Sequence, residues 1–216
     1  MNNHSPTEKS WIRVTWMSGT ASVACYFLAA FLPLPDSLVR LLAFAFGPLL
    51  SIAFLGLYHC LSDHRRGPTV KIASLFGIIA GVLVTSMLVV QVGNNMVRVD
   101  LLATAEDQAA RDAIDTAWRA VNRVQYLLDV VWDIFICVAT MLLAIVLGSH
   151  PRFGRSWGAV GFISGLLLLV FNLQTFPEAP AEAGSVDLGP VVALWMLAVF
   201  IRIPLGLRSR ATQIRA

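Results

Sequence analysis

Two aspartates four residues apart in an apolar run, Asp129 and Asp133, are the side chains in this sequence best placed to do chemistry. On a helix that spacing puts both carboxyls on one face, along a stripe that includes Asn122, Tyr126 and Thr140. An Asp at the centre of a membrane helix costs about 2.5 to 3.5 kcal/mol on insertion scales, so such a residue faces protein or water and marks a site. The pair can hold a cation or a polar solute, or divide acid and base roles between two carboxyls.

Other polar groups fall at matching depth. Fifteen helical residues rise about 22 Å. Counted from one end of each apolar run, that distance reaches Asp133 from Gly148, Asn172 from Trp157, and Val84 beside Thr85 and Ser86 from Thr69. The same count reaches Tyr26 from Trp11, and Gly47 beside Pro48 from Ser62. Pro48 removes a backbone N–H and is expected to kink its helix. Gln91, Asn94, Asn95 and Arg98 bring amides and a cation toward Asp129, and Arg98 is its expected partner. Asp133, deeper, has no evident cation. The expected ligand-binding set is Asp133, Asp129, Asn172, Gln174, Tyr126, Gln91, Asn94, Asn95, Arg98 and Ser86, with no catalytic residue and no metal ligand assigned.

The elements that must position these groups are six apolar runs, at 11–32, 37–62, 69–92, 127–148, 157–176 and 187–207. Each is long enough for a hydrocarbon core about 30 Å thick, which takes about 20 helical residues. With 57% hydrophobic and 13% charged residues, the chain lies in the membrane class. Lipid offers no partner to backbone N–H and C=O groups and the runs lack a period of two, so the expected class is all-α. One six-helix transmembrane domain over 1–216 is expected.

Charge sets the expected orientation. Lys9, Arg13, Arg65, Arg66, Lys71, Arg152, Arg155, Arg202, Arg208, Arg210 and Arg215 fall on the side of the termini. Arg40, Arg98, Arg111, Arg119 and Arg123 fall opposite. The positive-inside rule then makes both termini cytoplasmic. The pI near 9 reflects this topology and attraction to anionic headgroups, so no nucleic-acid partner is expected. The first run is too long and continuous for a signal-peptide core and is expected to remain as a span.

The stretch 93–126 stays helix-friendly and is expected to form a helical hairpin outside the membrane. Thr104 begins a Thr-x-x-Asp capping box with Asp107. The pairs Asp107/Arg111 and Asp115/Arg119 support a helix, and Ala110, Ile114, Ala117, Trp118 and Val121 make one apolar stripe. The fourth helix is expected over 105–148, about 66 Å long. It either projects beyond the membrane, the favoured arrangement, or lies in part on the outer leaflet.

Other candidate chemistries are thinly supported. Cys25, Cys60 and Cys137 lie in or at the edge of spans without metal or disulfide spacing. His59, Asp63 and His64 end a span beside Arg65 and Arg66, where polar groups meet water. Ser164 in a Gly-x-x-Ser-Gly stretch has no membrane-core histidine to act as its base. Gly158, Gly161 and Gly165 instead give the small-residue spacing that lets helices approach closely. Asp187 before Gly189 and Pro190 reads as a helix cap.

The segment from Asn172 through Phe176-Pro177-Glu178, then Gly184-Ser185-Val186-Asp187-Leu188-Gly189-Pro190 and the run containing Trp195, resembles small bacterial multi-pass membrane proteins with no assigned activity. The resemblance covers roughly 132–200. It implies a bacterial inner-membrane location and carries no catalytic residue across.

The leading expectation is an integral membrane protein with a polar pocket in the outer third of the bilayer that binds or passes a small solute, ion or lipid headgroup. One alternative is an intramembrane enzyme using Asp129 and Asp133 on a lipid-linked substrate. The other is an accessory subunit whose hairpin contacts a membrane partner. Self-association through the fifth helix is compatible with all three, and no cofactor is implied.

Overall fold

The computed structural model describes residues 6–62, 67–151, 153–178, 180 and 183–208. Six helices account for nearly all of them: α1 (Pro6–Phe31), α2 (Asp36–Leu61), α3 (Pro68–Thr104), α4 (Gln108–Gly148), α5 (Gly154–Thr175) and α6 (Gly189–Arg208). Among the described residues there is no strand. The first five helices are long and apolar enough to cross a membrane, and α6 adds a shorter apolar stretch, Gly189–Leu205. This is the make-up of a multi-pass membrane protein.

Each helix packs on the next, and α6 returns against α1, so the bundle closes as a ring in chain order. Small residues allow the closest approaches, because two helix backbones near each other leave no room for a Cβ. A Cβ on Gly47 would collide with the Thr85 hydroxyl and the Gly81 carbonyl, and one on Gly81 with Ser51. Ser51 Oγ donates to the Ile78 carbonyl at 3.1 Å, tying α2 to α3. Gly158 faces Gly148 and Ala144 of α4, whereas Gly161 cradles the Trp195 ring of α6. The α5 glycines therefore serve two neighbours within the chain.

The turns follow local chemistry. The break between α3 and α4 differs from the expected capping box. Thr104 Oγ1 donates back to Leu101 and closes α3, Ala105 is extended, and Asp107 caps α4 by accepting from the Ala110 N–H at 2.7 Å. Reversal between two helices needs an extended residue, which leaves Thr104 on the wrong side of the break to cap α4. At the start of α6, Asp187 Oδ1 accepts from the Gly189 N–H at 2.7 Å, as the cap reading expects. Helix α2 runs through Pro48 without interruption.

Helices α3 and α4 have 37 and 41 residues, about 55 and 61 Å at the helical rise, so they exceed a bilayer core of about 30 Å. Their far ends are braced together. Asn94 Nδ2 donates to the Trp118 carbonyl at 3.0 Å, and Trp118 Nε1 donates to Asn95 Oδ1 at 2.9 Å. Trp118 of the amphipathic stripe thus packs on α3, while Ala117 and Val121 stay exposed.

Candidate functional site

The ring encloses a cavity of about 210 Å³ near the end that holds the α1–α2, α3–α4 and α5–α6 connections. Every helix contributes to its wall. Tyr26 comes from α1, Phe46 from α2, Val84 and Met87 from α3, Asp129, Trp132 and Asp133 from α4, Asn172 from α5, and Gly189 from α6. Pro180 and Asp187 of the α5–α6 connection complete it, and Arg123 of α4 donates to the Pro177 carbonyl at 3.3 Å, fastening that connection to α4.

Three carboxyl-bearing residues line this space, and among the described residues no Lys or Arg does. Asp133 is buried, only 6% exposed, and Asn172, also buried, hydrogen-bonds to its side chain. The same Asn172 Nδ2 donates to the Leu168 carbonyl at 3.0 Å, so the amide is held between its own helix and α4. Asp129 sits one turn above, half-buried. Asp187 adds a third carboxyl from the helix cap, close enough for its field to reach Asp129, Asp133 and Tyr26. Like charges gathered in a partly dry space raise its affinity for positive charge.

Aromatic rings form a collar beneath the carboxyls. Tyr26 and Phe46 have centroids 5.7 Å apart, and Phe46 meets Trp132 edge to face at 6.3 Å. The buried Trp132 Nε1 has no hydrogen-bond acceptor among the described residues. Below the collar lies an apolar pit of about 40 Å³, lined by Val23, Leu50, Ile136, Leu168, Val192, Ala193 and Met196 and sharing Tyr26, Phe46, Trp132 and Gly189 with the upper chamber. Acid, aromatic and aliphatic layers follow one another along the ring's interior.

Of the residues expected from sequence, the structure brings Asp129, Asp133 and Asn172 together at the cavity, and the depth count also reached Tyr26 and Val84. The others are elsewhere. Gln174 is exposed, Ser86 is exposed with its hydroxyl on the Val82 carbonyl, and Tyr126 and Gln91 are half-buried outside the lining. Asn94, Asn95 and Arg98 belong to the hairpin brace.

Arg98 does not pair with Asp129. Its Nε donates to Asp115 Oδ1 at 2.9 Å and its guanidinium lies 4.8 Å from the Trp118 ring centroid. The reason is register. Antiparallel helices joined by the short turn at 105–107 pair residues equidistant from that turn, which sets Arg98 beside Asp115 and Asp129 level with Val84. That leaves Arg98 and Asp129 about 21 Å apart along the bundle.

Sequence reasoning missed Asp187, Trp132 and Phe46. Asp187 carried a legible signal as a cap, but its second role depends on where the α5–α6 connection folds. Trp132 adjoins Asp133, and Phe46 adjoins Gly47 at the matching depth, so both were within reach of the same count. His59 stacks on Trp11 with centroids 4.0 Å apart, whereas Asp63 and His64 lie outside the described residues.

Comparison of the chain with protein-family models, with curated proteins and with solved structures found no match.

Proposed function

We propose that this is a multi-pass protein of the bacterial inner membrane, with both termini in the cytoplasm, that binds or passes a small solute through a polar cavity in the outer third of the bilayer. The observation that carries the reading is the cavity walled by Asp129, Asp133 and Asp187 with Asn172. A bundle selected only to span lipid has no reason to keep carboxyls inside, since each is costly in an apolar medium. Such a set is retained where it contacts a ligand or an ion path.

Orientation follows from charge: Lys9, Arg13, Lys71, Arg155 and Arg202 gather at the end opposite the cavity, at the starts of α1, α3 and α5 and late in α6. The positive-inside rule turns the cavity outward. Asp133 supplies charge and Asn172 orients it. The test is native mass spectrometry of protein extracted gently from its own membrane, wild type against Asp133→Ala. A bound species lost in the variant supports the reading, and spectra showing both proteins free of ligand contradict it.

The hairpin supports a second reading, an accessory subunit. Its braced surface exposes Val97, Val99, Leu101, Val121 and Val124, an apolar set beyond the length a bilayer needs. If deletion of 111–119 releases a co-purifying membrane protein, this reading gains over the first.

A further inference from the structure

We infer that the ligand class of this cavity is a small primary ammonium with a short apolar tail; this rests on the solute-binding reading above. The layering selects it. Three carboxyls, with no lining Lys or Arg among the described residues, favour a positive head and reject a carboxylate or phosphate. A phospholipid headgroup would bring its phosphate in among them, so a free amine is the favoured source.

A bare metal ion fits less well. Among the described residues no three His, Cys, Asp or Glu side chains converge as ligands. The aromatic rings of Tyr26, Phe46 and Trp132 in the lining instead suit an organic cation, which aromatic quadrupoles attract. Below them the pit offers a tail an almost wholly apolar wall. At about 210 Å³ the upper chamber exceeds the roughly 150 Å³ apolar cavity that holds benzene, so a head with its first carbons fits. The pit, at about 40 Å³, has room for the tail's end alone. The Trp132 ring lines both spaces, and its buried N–H, without an acceptor among the described residues, is a donor open to a ligand oxygen or a water.

The test uses the full chain in phosphatidylglycerol nanodiscs, with calorimetric titration of four probes: butylammonium, butanol, butyrate and ammonium. Butylammonium should bind, butanol and butyrate should not, and ammonium should bind more weakly. Asp133→Asn should weaken butylammonium by more than about tenfold, the scale for removing one partner of a buried charge pair. Across ethyl-, propyl- and butylammonium, affinity should rise by about fourfold per methylene and then level off once the pit is full.

Equal binding of butanol or butyrate, or ammonium as tight as butylammonium, would overturn this ligand class while leaving the cavity reading intact. Binding by none of the probes, with the native mass experiment also ligand-free, would overturn both. Repeating the titration with phosphatidylethanolamine in the disc separates the sources. Undiminished butylammonium binding supports a free amine, and displacement shows that a lipid ammonium takes the site. Asp129→Asn serves as a second variant, and size-exclusion profiles confirm that each variant folds.

Discussion

Asp133 and Asn172 meet across α4 and α5 in the interior of the ring, each more than nine-tenths buried, and the amide that reaches the carboxyl also holds the Leu168 carbonyl. A buried carboxyl in this setting is held by one neutral donor and shares the cavity with two further carboxyls, with no Lys or Arg lining it among the described residues. Function and stability are then expected to oppose each other.

Asp133→Asn is therefore expected to raise the unfolding temperature of ligand-free protein in detergent, by about 2 to 4 °C for each kcal/mol of relieved repulsion. The same variant should lose ligand binding. Thermal unfolding followed by tryptophan fluorescence checks it, and a lower midpoint would count against stored repulsion.

Gly47→Val and Gly158→Val should cost folded protein, because the new side chains meet Thr85 and Gly81 in one case and the Gly148 backbone and Ala144 carbonyl in the other. Overpacking of this kind costs about 1 to 3 kcal/mol or more. Gly93, in the middle of α3 with open space around it, is the control: Gly93→Ala should be neutral or stabilising by up to about 1 kcal/mol. Yields and unfolding midpoints of the three variants decide the point.

The Arg98–Asp115 pair is about one-third exposed on both sides, so its loss is worth about 0 to 1 kcal/mol. Arg98→Ala also removes the cation over Trp118. The expected result is faster amide exchange confined to the hairpin, around 94–122, with the global midpoint hardly moved. Exchange measured by mass spectrometry reads this directly, and a large global shift would mean the hairpin holds the ring together.

An impermeant thiol reagent applied to intact cells should label Asp107→Cys at the hairpin tip and leave Gly67→Cys, between α2 and α3, unlabelled until the membrane is opened. Native Cys25 and Cys137 are buried and should stay silent in both states. The half-buried Cys60, beside the Thr15 hydroxyl at 3.4 Å, is replaced by Ser for this experiment. The reverse labelling pattern would invert the proposed orientation.

Much of the architecture was legible because membrane helices are set by length and apolar content, quantities local to each run. The six runs, the all-helical class, the cap at Asp187 and the helical continuity through the hairpin all followed from neighbours within a few residues. Depth was legible for a related reason: a helix rises by a constant amount per residue, so a count along each run placed Tyr26, Val84, Asp133 and Asn172 at one level before any contact was known. Depth is not direction, however. Ser86 reached the right level but points outward, and Gln174 lies beyond the wall. Which side of a helix faces inward is decided by its neighbours, and here by close glycine crossings such as Gly47 against Gly81. Only the tertiary structure decided that Arg98 serves Asp115, because antiparallel register is set by the position of one extended residue, Ala105, in the turn. Only it joined Asp187 to Asp129 and Asp133, since the meeting of the α5–α6 connection with α4 is a long-range contact that no local pattern encodes.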